Sequence, residues 1–328
     1  MIAPLAKFID WSALQAVRAI RLNPARKRPV AESDSKLAEA VKFLSGSDFI
    51  PPESQPARVE WNESVNFHFL TPRPSDTPQN NVAHGRLYRC AKDWQKYPAI
   101  ILLHGAGDFV NHRLRFPLLI PRCARSEFNA ATLVLPYHFQ RRRRLSAALD
   151  HLRRAEATAQ GVAEIRALVG WLLAEGCPSV ALWGISLGGW LTGLAACHDA
   201  RLAAVVLTVP GVRMKTSNAK GQSRGGDSLK AQHAACEALN RTPLNLALNR
   251  PVIASKNILL MKGTYDLFVG TEAIEDLWQK WGQPEIWRLP HGHISWMFAP
   301  GLTGRVLRWL SPHLNAPTAQ ARPNDAAR

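Results

Sequence analysis

Ser179–Leu191 reads SVALWGISLGGWL, and this stretch decides the fold. The apolar run Val180, Ala181, Leu182, Trp183 has the make-up of a buried strand. It leads directly into Gly184-Ile185-Ser186-Leu187-Gly188, after which a helix-like apolar run begins. A G-x-S-x-G motif carries chemical meaning only in such a strand–turn–helix setting. There the serine sits on a sharp, strained turn with its hydroxyl presented outward. Glycine is expected at 184 and 188 because a side chain at either place would collide with the neighbouring strand or helix. Gly189 adds room for close helix–sheet contact. Outside that setting the same residues are an ordinary Gly-rich turn.

Working outward, the chain alternates buried strands and helices. Ala99–Leu103 is a solid apolar strand ending in His104-Gly105, and Ala130–Leu135 is another ending in Pro136-Tyr137. Val162, Ile165, Leu168, Val169 and Leu172 line one side of a long helix over 155–175. After the Ser186 turn come a helix over 187–197, strands at 203–209, 258–262 and 285–289, and a helix over 302–310. This alternation predicts a mostly parallel sheet covered on both faces. Upstream, Val59–Leu70 alternates apolar and polar residues as a half-exposed strand does, with an antiparallel partner near Gly85–Arg89. Residues 1–58 read as a helical extension and 59–314 as the main domain. The Asn315–Arg328 tail, rich in Ala, Pro, Asn and Arg, reads as disordered.

Residues 1–22 have helical apolar spacing, with Lys7, Arg18 and Arg21 among them, before Arg26-Lys27-Arg28-Pro29 breaks the pattern. The helix either packs on the main domain or lies on a membrane surface. A basic insertion over 212–250 interrupts the alternation after a strand end, where a lid would sit. It carries Arg213, Lys215, Lys220, Arg224, Lys230, Arg241 and Arg250 against Asp227 and Glu237.

With 328 residues and 46% apolar content, the chain can bury a large α/β core. No apolar run reaches the ~18 residues of a membrane span, and Lys7 and Asp10 interrupt any secretory leader. Five cysteines, an odd number with no C-x-x-C pair, argue against a disulfide framework and a zinc knuckle. They fit a reducing, cytoplasmic setting. The net charge of +16 points to an anionic partner or simply to an Arg-rich composition. No interleaved aromatic–basic motif supports nucleic-acid binding. Arg113, Arg115, Arg122, Arg125 and the run Arg141-Arg142-Arg143-Arg144 are either a solvated charge face or a binding surface for phosphate or carboxylate.

A serine hydroxyl needs a base to take its proton, and the base needs an orienting partner. On a strand–turn–helix serine site the acid and histidine follow in that order along the chain. Asp266, in Gly263-Thr264-Tyr265-Asp266 after the 258–262 strand, is the expected acid, with Glu272 and Asp276 as weaker candidates. His293, in Pro290-His291-Gly292-His293, is preferred over His291 as the base. The i, i+2 histidine pair lacks an evident third metal ligand. Two backbone N–H groups should face the developing oxyanion, one from Leu187 and one from His104-Gly105-Ala106-Gly107. Ala106 is the chosen donor, with Gly105 or Gly107 as alternatives. Gly105, Gly107, Tyr137 and Arg141 are the candidate substrate-binding residues.

With these residues in view, Val59–Leu310 resembles the α/β-hydrolase superfamily. HGAGD, the Pro136-Tyr137 strand end and GISLGG also resemble the "alpha/beta hydrolase domain-containing" subgroup. The superfamily resemblance implies an eight-stranded sheet and acyl transfer to water, with no metal or organic cofactor. The expected activity is therefore cleavage of a small-molecule or lipid acyl ester through an acyl-enzyme on Ser186. The rivals are an acyltransferase using the same residues and a non-catalytic scaffold that meets an anionic membrane surface through the N-terminal helix or the basic insertion.

Overall fold

Strands in the computed structural model form where apolar residues run unbroken or alternate. It describes residues 2–22, 34–106, 116–141, 150–215 and 226–315. The strands are β1 (Glu60–Trp61), β2 (Asn66–Leu70), β3 (Val82–Tyr88), β4 (Ala99–Leu103), β5 (Asn129–Leu133), β6 (Val180–Ile185), β7 (Leu202–Thr208), β8 (Ile258–Gly263) and β9 (Glu285–Leu289). They make one sheet in the order β1-β2-β3-β5-β4-β6-β7-β8-β9. The β1–β2, β2–β3 and β3–β5 pairs are antiparallel, and the remaining pairs are parallel. The ninth strand arises because Val59–Leu70 is a hairpin rather than one strand. Its polar centre turns, and Asn62 N–H donates to the Asn66 carbonyl at 3.1 Å.

Successive residues along each central strand point to opposite faces. Ile101, Leu103, Leu182, Val205, Leu207 and Leu260 face α2 (Asp34–Ser45), α4 (His151–Ala174), α5 (Leu187–Ala196) and α7 (Thr271–Lys280). Ile100, Leu102, Ala181, Trp183, Leu259 and Met261 face α3 (Phe116–Arg125) and α8 (Leu302–Leu314). Helix α4 starts earlier than its apolar spacing indicates. Asp150 caps it, its carboxylate accepting from Arg153 N–H at 2.8 Å.

The N-terminal helices share this architecture. Ala40 and Leu44 of α2 belong to the same core as α4. Helix α1 (Ile2–Leu22) packs against the 3₁₀ turn Ser295–Phe298 that follows the histidine loop. The 212–250 insertion holds α6 (Gly226–Asn240), which lies beside α2. It closes on itself where Leu246 N–H meets the Val212 carbonyl at 2.9 Å. It is tied to α5 where Trp190 Nε1 donates to the Leu244 carbonyl at 2.8 Å. Lys220 and Arg224 of this insertion, and the tail beyond Asn315, lie outside the described residues.

Candidate active site

The parallel strands bring their carboxyl ends to one edge, and the site residues follow those ends. Ser186 links β6 to α5 with φ 53° and ψ −111°. A positive φ on a non-glycine residue is strained and persists only where its surroundings impose it. Here Ser186 N–H donates to the Thr208 carbonyl at 2.9 Å, and Gly211 N–H donates to the Ser186 carbonyl at 3.1 Å. A Cβ on Gly184 would strike the Gly188 carbonyl and Thr192 Oγ1. One on Gly188 would strike the Leu103 and His104 carbonyls, so both glycines are required by close approach.

Asp266 lies just past β8, and its buried carboxylate is spoken for on both oxygens. Oδ1 accepts from Phe268 N–H at 2.8 Å and Val269 N–H at 2.9 Å. Oδ2 lies 2.8 Å from His293 Nδ1, and His293 Nε2 lies 2.9 Å from Ser186 Oγ. The carboxylate can only accept at Nδ1, which sets the proton there and leaves the Nε2 lone pair toward the hydroxyl. The Phe268 ring stacks on the imidazole at 4.9 Å between centroids. The structure thus brings Ser186, Asp266 and His293 together. His291 is outside this line; its carbonyl accepts from Tyr265 N–H at 3.0 Å. Asp276 lies on α7 near Arg213 and Lys280, and Glu272 is exposed on the same helix.

Leu187 is the first residue of α5, so its N–H belongs to the positive end of that helix. The register Leu103↔Gly184 brings the loop that starts at His104 and the Ser186 turn to the same edge of the sheet. Gly188 N–H donates to the His104 carbonyl at 3.1 Å and stitches the two loops together. Gly105 is buried and Ala106 exposed; Gly107, Arg113 and Arg115 lie outside the described residues. His104 is buried in a structural role. Its Nδ1–H meets the Gly105 carbonyl at 2.8 Å, and its Nε2 accepts from Leu135 N–H at 3.1 Å. Tyr137 is half-buried beyond β5 with φ 60°, its N–H donating to Asn80 Oδ1 at 2.8 Å.

Arg141 is not a substrate residue. Its side chain is fully buried and pairs with equally buried Glu164, Nη1–Oε2 at 2.7 Å and Nη2–Oε1 at 2.6 Å. Nη1 also donates to the Val134 carbonyl at 2.7 Å, and Nη2 donates to the Asn80 carbonyl. Both terminal nitrogens are thus engaged inside the protein, and the remaining donor, Nε–H, is itself buried, so the guanidinium turns no donor toward an external anion. Arg142-Arg143-Arg144 lie outside the described residues.

One residue of the site was read from sequence only as an interruption of an apolar leader. Asp10 of α1 is fully buried, and its Oδ2 accepts from His293 N–H at 2.6 Å and Leu267 N–H at 3.3 Å. Its Oδ1 accepts from Ile294 N–H at 2.9 Å. The available signal was a lone carboxylate on the stripe that also holds Ala6. Elsewhere, burial pushes the Cys123, Cys177 and Cys197 thiols up to about 12, which leaves them poor nucleophiles. Among the described residues no group of three or more His, Cys, Asp or Glu could hold a metal ion, and no helix is long and apolar enough to cross a membrane.

A mostly parallel sheet with a hydrogen-bonded serine, aspartate and histidine on the loops beyond β6, β8 and β9 is the architecture of the α/β-hydrolase class. Residues 6–220 match the model of the family described as Alpha/beta hydrolase domain containing 18, and the chain belongs to that family. An uncharacterized protein of Mycobacterium tuberculosis is 30% identical over 151 residues, covering 44% of this chain and 36% of the relative. The match thus spans about a third of that relative's length. An esterase of Pyrococcus furiosus superposes with a TM-score of 0.52 at 15% identity, over 80% of this chain and all of that one. An α/β hydrolase from Penicillium sp. sh18 gives a TM-score of 0.52 at 16% identity, over 76% of this chain and 98% of its own. At these identities the two likenesses are of fold.

Proposed function

We propose that this protein is a serine hydrolase that cleaves carboxylic esters through an acyl-enzyme on Ser186. The observation that carries the reading is the unbroken hydrogen-bonded line from Asp266 Oδ2 through both nitrogens of His293 to Ser186 Oγ, at 2.8 and 2.9 Å. Ser186 Oγ attacks the acyl carbon and its proton passes to His293 Nε2. The imidazolium then protonates the leaving alcohol as the ester C–O bond breaks. Water, deprotonated by His293, attacks the acyl-enzyme, releases the acid and restores the serine. Asp266 holds the productive tautomer throughout, while the Leu187 and Ala106 amides stabilise the oxyanion. No step draws on a metal or an organic cofactor.

Lipid esters presented at an anionic surface fit the flank of this site. Leu5, Phe8 and Trp11 on α1 are 60%, 62% and 53% exposed, and Phe298, in the turn that α1 packs against, is 66% exposed. Lys7, Arg18 and Arg21 are the cations of this helix, and its one carboxylate, Asp10, is turned inward. An exposed apolar face on a helix that carries cations and turns its carboxylate inward suits the headgroup region of an anionic bilayer.

The test is labelling by a fluorophosphonate beside a panel of acyl esters of graded chain length. The protein is expected to label and turn over at least one ester. Ser186→Ala should abolish labelling and lower turnover by about 10⁴-fold or more. An unlabelled wild-type protein would leave the scaffold reading. Ester formation from an added alcohol in excess of free acid would make it an acyltransferase.

A further inference from the structure

We infer that Asp10 is a positioning residue that holds both the acid loop and the histidine loop in register with Ser186. The inference rests on the serine-hydrolase reading and adds the N-terminal helix to its machinery. Three backbone N–H groups converge on this one carboxylate: Leu267, next to Asp266, and His293 and Ile294 on the other loop. Among the described residues the hydrogen-bond partners of this fully buried carboxylate are three backbone donors and no cation, so those donors stabilise it. The arrangement is directional. Asp10 binds backbone at the triad residue itself and at the position after the acid, so it fixes the separation of Asp266 from His293.

The surrounding residues are shaped to accept it. A Cβ on Gly292 would overlap the Asp10 carboxylate, so glycine precedes the histidine because the carboxylate occupies that space. Gly292 N–H is satisfied separately by Ser295 Oγ at 2.8 Å. The two loops also meet directly, with Thr264 N–H on the Leu289 carbonyl at 2.9 Å and Tyr265 N–H on the His291 carbonyl at 3.0 Å. Those bonds join the bases of the loops, whereas Asp10 joins their tips. On the helix, Lys7 lies over the Tyr265 ring at 5.1 Å, a second contact between α1 and the acid loop. Without the carboxylate, the buried His293 N–H and the partly buried Leu267 and Ile294 N–H groups lose their acceptor, and the His293 backbone is free to shift.

The experiment compares wild type, Ser186→Ala and Asp10→Asn. The asparagine keeps the shape but turns an N–H₂ group toward the backbone donors. Misplacement of a reacting group by about 1 Å costs ~100-fold. Asp10→Asn is therefore expected to slow fluorophosphonate labelling and kcat by roughly 10- to 100-fold with KM within about 2-fold. Amide hydrogen exchange should rise in peptides over 264–269 and 289–296 and stay unchanged in β4, β6 and β7. Labelling at the wild-type rate would overturn the inference, as would faster exchange across the whole sheet, which would make Asp10 a general stabiliser. If wild type itself fails to label, the hydrolase reading falls, and unchanged exchange in the two loops of Asp10→Asn would then refute the clasp on its own terms.

Discussion

Arg141→Met separates a structural role from an anion-binding one. The substitution keeps the apolar stem and removes the charge that satisfies both oxygens of Glu164 and the Val134 and Asn80 carbonyls. Glu164 is then left with one side-chain donor, Gln160 Nε2 at 2.9 Å. Removing one partner of a buried ion pair costs about 3–5 kcal/mol, because the other charge stays buried and unpaired. Unfolding entropy of about 2.1 cal/mol/K per residue gives roughly 0.7 kcal/mol/K for a chain of this length, so Tm should fall by about 4–7 °C. Adding Glu164→Leu to the first change should restore most of that loss, since apolar replacement of the whole pair is often neutral or better. The assay is thermal unfolding of both single variants and the double variant, beside KM for a matched neutral and anionic acyl ester. The KM ratio is expected to stay at the wild-type value. A Tm shift under about 1 °C with a selective rise in KM for the anionic ester would refute the buried-pair account.

Two further outcomes follow from other parts of the molecule. Glu275 accepts from Arg288 and Lys262, and chiefly the Arg288 hydrogen bond holds its carboxyl at about 2, below its ordinary value of 4.5. A carboxyl depressed in the folded state stabilises it above the unfolded value and loses that contribution as pH falls toward the folded one. The difference in denaturant midpoint between wild type and Glu275→Gln should therefore be constant near neutrality and shrink from about pH 4.5 toward pH 2; a difference that holds steady across that window would refute it. On α1, Leu5→Ser, Phe8→Ser and Trp11→Ser together should abolish co-sedimentation with vesicles rich in phosphatidylglycerol while thermal unfolding is unchanged. Equal binding by wild type and triple variant would remove the lipid-surface proposal.

Much of the fold was legible because its signals are local. SVALWGISLGG contains its own context: an apolar strand, a turn only glycine permits and a helix start. Asp266 and His293 could be named because each follows a recognisable strand, and strand ends of a parallel sheet share one edge. The rest depended on partners distant in sequence. Four consecutive arginines look alike on paper, yet Glu164, Asn80 and Val134 fold around Arg141, which turns an apparent surface charge into a core group. Helix α3 escaped notice because Pro121 interrupts its apolar spacing. The β1–β2 hairpin was hidden because both its strands fit a single alternating pattern. Asp10 gave the least warning, since its partners are backbone amides, which no side-chain pattern betrays.

The bond from Asp10 to His293 joins positions 283 residues apart. At translation rates of about 5–20 residues per second, roughly fifteen seconds to a minute separates the making of its two ends. During that interval the nascent chain holds Ser186 but not yet the His293 imidazole that lies 2.9 Å from its hydroxyl in the folded protein. Order of manufacture thus places the clasp among the last contacts the chain can make, because one of its ends is synthesised 283 residues after the other.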